Sequence, residues 1–92
     1  MFADYEVLDL FSVMFDRLDE KEDGYSMIAR CYFDAACQHF QTAPRDARFL
    51  QYALDNAKIG CRMLEIAEPD YELRDMSFTI LTLLYQRMYE VR

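Results

Sequence analysis

Apolar residues recur along this chain at steps of three and four, the spacing that lines one side of an α-helix, in four successive stretches. In the first, Tyr5, Leu8, Phe11, Phe15 and Leu18 predict a helix over about residues 2–21. The acidic run Asp19 to Asp23 ends it, and Gly24 offers a residue that closes a helix in the left-handed conformation. With Asp23 as a cap, Ile28, Tyr32, Ala35, Ala36 and Phe40 predict a second helix over about 25–41. Pro44 then disfavours helix at Ala43 and fits the first turn of the next helix, whose positive end suits Asp46. That third helix, about 44–67, carries Leu50, Ala53, Ala57, Gly60 and Leu64, with Leu54 and Cys61 beside them. Pro69 ends it. Asp70 caps a fourth helix over about 70–91, marked by Leu73, Ser77, Ile80, Leu81, Leu84, Met88 and Val91.

Four helices joined by short links predict an all-α domain over residues 1–92, an antiparallel up-down-up-down four-helix bundle. The small residues are grouped: Ala53, Ala57, Gly60 and Cys61 follow one side of the third helix, and Ala29, Ala36 and Cys37 follow the second. A mid-helix glycine costs about 1 kcal/mol relative to alanine, so Gly60 predicts a close approach of these two helices.

The chain is 53% apolar and 15% aromatic, with only two glycines and two prolines, which excludes disorder. This composition also raises a question of burial. Val7, Leu10, Val13 and Met14 widen the apolar face of the first helix, and Met76, Phe78, Leu83 and Tyr85 that of the fourth. A domain this small has little interior for helices apolar on most sides, so these eight residues are the candidate interface with another chain. The first functional expectation is a protein–protein interaction module, pairing with itself as a dimer or with another protein.

Charge changes the picture at one end. The net charge is −7, and residues 1–23 hold eight acids against Arg17 and Lys21, leaving the other 69 positions at −1. No basic patch is available for nucleic acid or an anionic membrane, so neither is an expected partner. Asp9, Asp16 and Glu20 form a candidate acidic face, and the second expectation is an acidic inhibitor or decoy that occupies a basic groove. No apolar run approaches a membrane span, and Asp4, Glu6 and Asp9 stand where a secretory signal carries basic residues; a cytoplasmic location is expected.

The search for chemistry finds little. Cys31, Cys37 and Cys61 have no metal-ligand or disulfide spacing and read as reduced, mostly buried residues. His39 is the only histidine, and on a helix Cys37 and His39 point about 200° apart, so no metal site is expected. The carboxylate pairs Asp16/Glu20 and Glu72/Asp75 lie in charged, solvated stretches. No catalytic residue, cofactor or enzymatic activity is expected. Ala57, Cys61, Leu64 and Pro69, at relative positions 0, 4, 7 and 12, resemble the second helix of a tetratricopeptide repeat. The resemblance covers about 13 residues, and Gln41 to Arg48 lacks the aromatic, Leu-Gly and Tyr of the preceding repeat helix. It implies a third expectation, an adaptor or secretion-type chaperone that holds a partner helix.

Overall fold

The computed structural model describes residues 2–92, so Met1 lies outside the described residues. Four helices account for most of them: α1 (Asp4–Asp19), α2 (Gly24–Thr42), α3 (Ala47–Ile66) and α4 (Tyr71–Val91). Each start has a hydrogen-bonding reason. Asp23 accepts from the Ser26 amide at 3.0 Å, Asp46 from the Arg48 amide at 2.8 Å and Asp70 from the Leu73 amide at 3.1 Å. At α1 the Glu6 carboxylate reaches back to the Ala3 amide at 3.1 Å. The bare carbonyls at the end of α3 are met from α4, where Arg74 donates to Leu64 at 3.4 Å and Glu65 at 3.0 Å.

Two expectations about punctuation fail for one physical reason, the choice of cap. Gly24 does not close α1 in the left-handed conformation, because Asp23 caps α2 and makes Gly24 its first residue; no described glycine has positive φ. Pro44 sits in a turn before α3, because Asp46 takes the capping position and the helix begins at Ala47.

The helices form a ring in which α1 touches α2, α2 touches α3, α3 touches α4 and α4 returns to α1. Contacts along the α1–α4 and α2–α3 pairs set their directions. Asp4 at the start of α1 meets Arg87 at the end of α4, while Arg17 meets Glu72 at 2.8 Å and Lys21 meets Asp70 at 2.6 Å at the opposite end. Along α2 and α3, the His39 ring lies 5.4 Å from Tyr52, and Phe33 packs across Gly60. α1 and α4 therefore run in opposed directions, as do α2 and α3, and the α2–α3 surface lies on the far side of the ring from the α1–α4 surface.

The core takes Phe11, Phe33, Phe40, Leu50, Leu54, Ile80 and Leu84 as its largest fully buried side chains, with Met14 and Leu18. All seven positions expected in the core of α3 are there. In α1, by contrast, the buried stripe is Val7, Phe11, Met14 and Leu18, rotated from the expected one, and Tyr5 is exposed. Phe15 is half-buried, with the Arg30 guanidinium 3.9 Å from its ring centre. In α2 the core face is Ser26, Ala29, Phe33, Ala36, Cys37 and Phe40, so Ile28 points outward.

Among the described residues one charged side chain is buried. Arg87 is 5% exposed, donates to the Asp4 carboxylate and to the Phe2 carbonyl at 2.9 Å, and has Glu90 at 3.3 Å. Its guanidinium also lies 5.5 Å from the Phe40 ring centre. Arg45, in the α2–α3 link, reaches the other oxygen of Asp4 at 2.9 Å. This cluster joins the start of α1, the α2–α3 link and the end of α4.

Candidate functional site

The eight residues expected at an interface divide. Val7, Met14 and Leu83 are buried in the chain's own core, a correction to their expected outward role. The reason is the rotation of α1 and the return of α4 onto it, which turns these three side chains inward. A Leu83→Glu variant would therefore report on folding rather than docking. Leu10 and Met76 are half-buried against the core, whereas Val13, Phe78 and Tyr85 are exposed. Tyr85 lies on the α3 side of α4, with the Lys58 ammonium 5.4 Å from its ring centre. What remains on the α1–α4 surface is two shallow hollows on either side of Phe2, with Leu10 and Val13 in one and Phe78 in the other. Carboxylates interrupt both: Glu6 and Asp9 line the first and Asp75 the second.

The opposite surface has a different composition. Outside its core stripe, α2 presents Tyr25, Ile28, Tyr32, Ala35 and His39, which recur at steps of three and four and are exposed or half-buried. Antiparallel to them, α3 presents Phe49, Tyr52, Asn56, Ile59, Met63 and Ile66 with the same alternation. His39, Phe49 and Tyr52 form an aromatic cluster at one end, with ring centres 5.4 to 6.1 Å apart. None of these eleven residues is charged, in a chain of which 29% is. Of the large ones, Tyr25, Ile28, Tyr52, Ile59 and Ile66 are exposed.

Local packing explains why this surface exists. Ala29 and Ala36 of α2 and Ala53, Ala57 and Gly60 of α3 are all buried, and with little side chain between them the two helices approach closely. The larger apolar residues beside them then have no interior to enter and emerge along the outer side of the seam. The candidate site is thus flat, about 30 Å long from the 20 residues of α3 at 1.5 Å each, and two helices wide. Sequence reasoning missed it. The available signal was a second three-four alternation in α2 and α3 without charges, masked by the first.

The acidic face stands apart. Asp9 and Asp16 on α1 and Glu20 just past its end are exposed and take part in none of the ion pairs among the described residues, whereas Asp4 and Asp19 are held by arginines.

Burial pushes the Cys37 thiol up to about 11 and raises that of Cys61, so both stay protonated at neutral pH. Cys37 and Cys61 are buried, as expected for most of the cysteines, and Cys31 is exposed on the outer side of α2. Among the described residues no group of three or more His, Cys, Asp or Glu side chains is arranged to hold a metal ion. No helix of the described residues is long and apolar enough to cross a membrane. In the stretch resembling a tetratricopeptide repeat helix, Ala57, Cys61 and Leu64 face the core rather than a bound partner. Compared with protein-family models, with curated proteins and with solved structures, the chain matches none of them.

Proposed function

We propose that this protein is a non-catalytic helical interaction module that self-associates through its α2–α3 surface. The observation that carries the reading is the uncharged, partly aromatic alternation of Tyr25, Ile28 and Tyr32 on α2 with Tyr52, Ile59 and Ile66 on α3. Exposed apolar residues scattered singly are ordinary, but a contiguous uncharged band across two helices is characteristic of a docking surface. The expectation that helices 1 and 4 form the interface is replaced, because three of its eight residues are in the core and acids break up the remainder.

Sedimentation equilibrium at tens of micromolar is expected to show a dimer, and Ile28→Glu and Ile59→Glu to shift it to monomer. Both side chains already meet water, so the helical circular dichroism of each variant should match the parent. Val13→Glu, on the opposite surface, should leave the dimer intact. Monomer alone at 100 μM, about ten times below the millimolar range of weak encounter, would end the proposal.

A second reading has its own support. Asp9, Asp16 and Glu20 form one exposed stripe free of the ion pairs described, as an acidic inhibitor or decoy requires. Changing all three to Lys should lower the salt needed to elute the protein from immobilised poly-lysine far more than the same change at Asp75, Glu72 and Glu90. Equal effects would reduce the stripe to a solubilising surface.

A further inference from the structure

We infer that the occupant of the α2–α3 surface is a second copy of this chain, turned about a two-fold axis that crosses the helices near Ile59, so that Asp55 of each copy pairs with Arg62 of the other. This rests on the self-association proposed above and specifies its geometry.

Two charges stand at the edge of the uncharged band. Asp55 and Arg62 are exposed, seven residues apart, and therefore on the same side of α3, next to Tyr52, Ile59 and Ile66. Seven residues place them about 10 Å apart along the helix, too far to pair within one chain. Neither takes part in an ion pair among the described residues; Asp55 accepts only from the Gln51 amide group, at 2.9 Å. Opposite charges so spaced complement their own copy when two such helices lie antiparallel. The axis then falls midway between them, beside Ile59, and one rotation creates the pair twice.

The same rotation is consistent on α2. Phe33 across Gly60 and His39 beside Tyr52 set the register of the two helices, placing Tyr32 level with Ile59. The axis therefore lays Tyr32 over the partner's Tyr32 and brings Tyr25 of each copy over the end of α2 that carries the partner's His39. Ile59 meets the partner's Ile59 at the centre, where a fully desolvated apolar anchor contributes most.

Charge distribution favours a copy over other occupants. Residues 24–67 carry five basic side chains (Arg30, Arg45, Arg48, Lys58, Arg62) and four acidic ones (Asp34, Asp46, Asp55, Glu65), so the docking half is almost neutral in a protein of charge −7. Docking there keeps the acidic α1 segments of both copies on the outer sides of the pair, whereas docking through α1 would bring them together. With the axis beside Ile59 about 22 Å of α3 overlaps its copy, so a surface about 22 Å by 20 Å offers on the order of 450 Å² per copy, or about 900 Å² in all, the size of a small, readily dissociating interface.

The test is an exchange of charges between copies. Asp55→Arg sets arginine against arginine twice and Arg62→Asp sets aspartate against aspartate twice, so each variant alone should dimerise about tenfold more weakly. Mixed together they recover both attractive pairs, and the mixture should form a heterodimer within about threefold of the parent affinity, as should the double exchange Asp55→Arg/Arg62→Asp. If the parent is a dimer and neither reversal weakens it, the two-fold arrangement is wrong while self-association stands. A parent that is monomeric at 100 μM overturns both. If the reversals weaken dimerisation but mixing fails to restore it, the two charges act separately and the reciprocal pairing is overturned.

Discussion

Replacing Gly60 with alanine is expected to destabilise the fold by about 1–3 kcal/mol, although alanine is favoured over glycine inside a helix by about 1 kcal/mol. A methyl carbon added at Gly60 would stand 2.6 Å from Cε2, 2.8 Å from Cδ2 and 3.0 Å from Cζ of Phe33. Contacts that short require the ring or the helices to move. Phe33 is 0% exposed and enclosed by the core, so its ring cannot swing aside as a surface side chain would. Urea unfolding would measure the loss. Adding Phe33→Leu, which removes the obstructing ring atoms, should return part of it, so the double variant would be less destabilised than the two single losses combined. A Gly60→Ala protein as stable as the parent would mean that the close approach of α2 and α3 does not depend on the missing side chain. Because the flat surface proposed for docking is a product of that approach, Gly60→Ala should also weaken the proposed self-association.

The second large effect concerns Arg87. Asp4→Ala is expected to cost about 3 kcal/mol, because it leaves a buried guanidinium with only Glu90 and the Phe2 carbonyl as partners. Replacing the arginine as well, in Asp4→Ala/Arg87→Met, should recover more than half of that loss, since an apolar side chain of similar length has no charge to compensate. The same pair makes stability depend on acid. The Arg87 guanidinium hydrogen-bonded to Asp4, with Arg45 beside it, holds this carboxyl below its ordinary value of 3.8. A depressed folded-state value contributes stability that is complete above the unfolded value and is lost as pH falls through the folded one. The parent should therefore lose stability below about pH 3.8, and Asp4→Asn should show a shallower loss over that range. Asp23, Asp46 and Asp70 are lowered in the same direction, by Ser26, Arg48 and Lys21 respectively, so the slope in Asp4→Asn should not vanish. Equal slopes in parent and variant would remove Asp4 from the account.

Both effects show what the sequence makes legible. The inward stripe of α3 was readable because its small residues, Ala53, Ala57 and Gly60, leave one stripe with a consistent phase, and all seven residues assigned to it are buried. The helix starts at Asp23 and Asp70 were readable because capping is local, involving a carboxylate and an amide three residues on. The rotation of α1 was not. Tyr5, Leu8 and Phe15 make as regular an apolar stripe as Val7, Phe11 and Met14, and periodicity alone does not choose between two stripes on one helix. What selects the second is contact with α4, distant in sequence. Arg87 was missed for the same reason: an arginine reads as solvated until a carboxylate 83 positions away is known to lie against it. The surface proposed for docking was not placed by periodicity. The apolar excess was expected on helices 1 and 4, where the closing of the ring absorbs Val7, Met14 and Leu83.

The ring closes through contacts of very different span, and this bears on the order in which the molecule forms and opens. Phe33 and Gly60 are 27 positions apart, whereas Asp4 and Arg87 are separated by 83. Closing the longer loop costs about 1 kcal/mol more in chain entropy. The α2–α3 hairpin is thus the expected nucleus, and the seam between α1 and α4 is expected to assemble last and part first. Transient opening at that seam would leave the surface proposed for docking on the intact hairpin, so that two chains could recognise each other before either has finished folding.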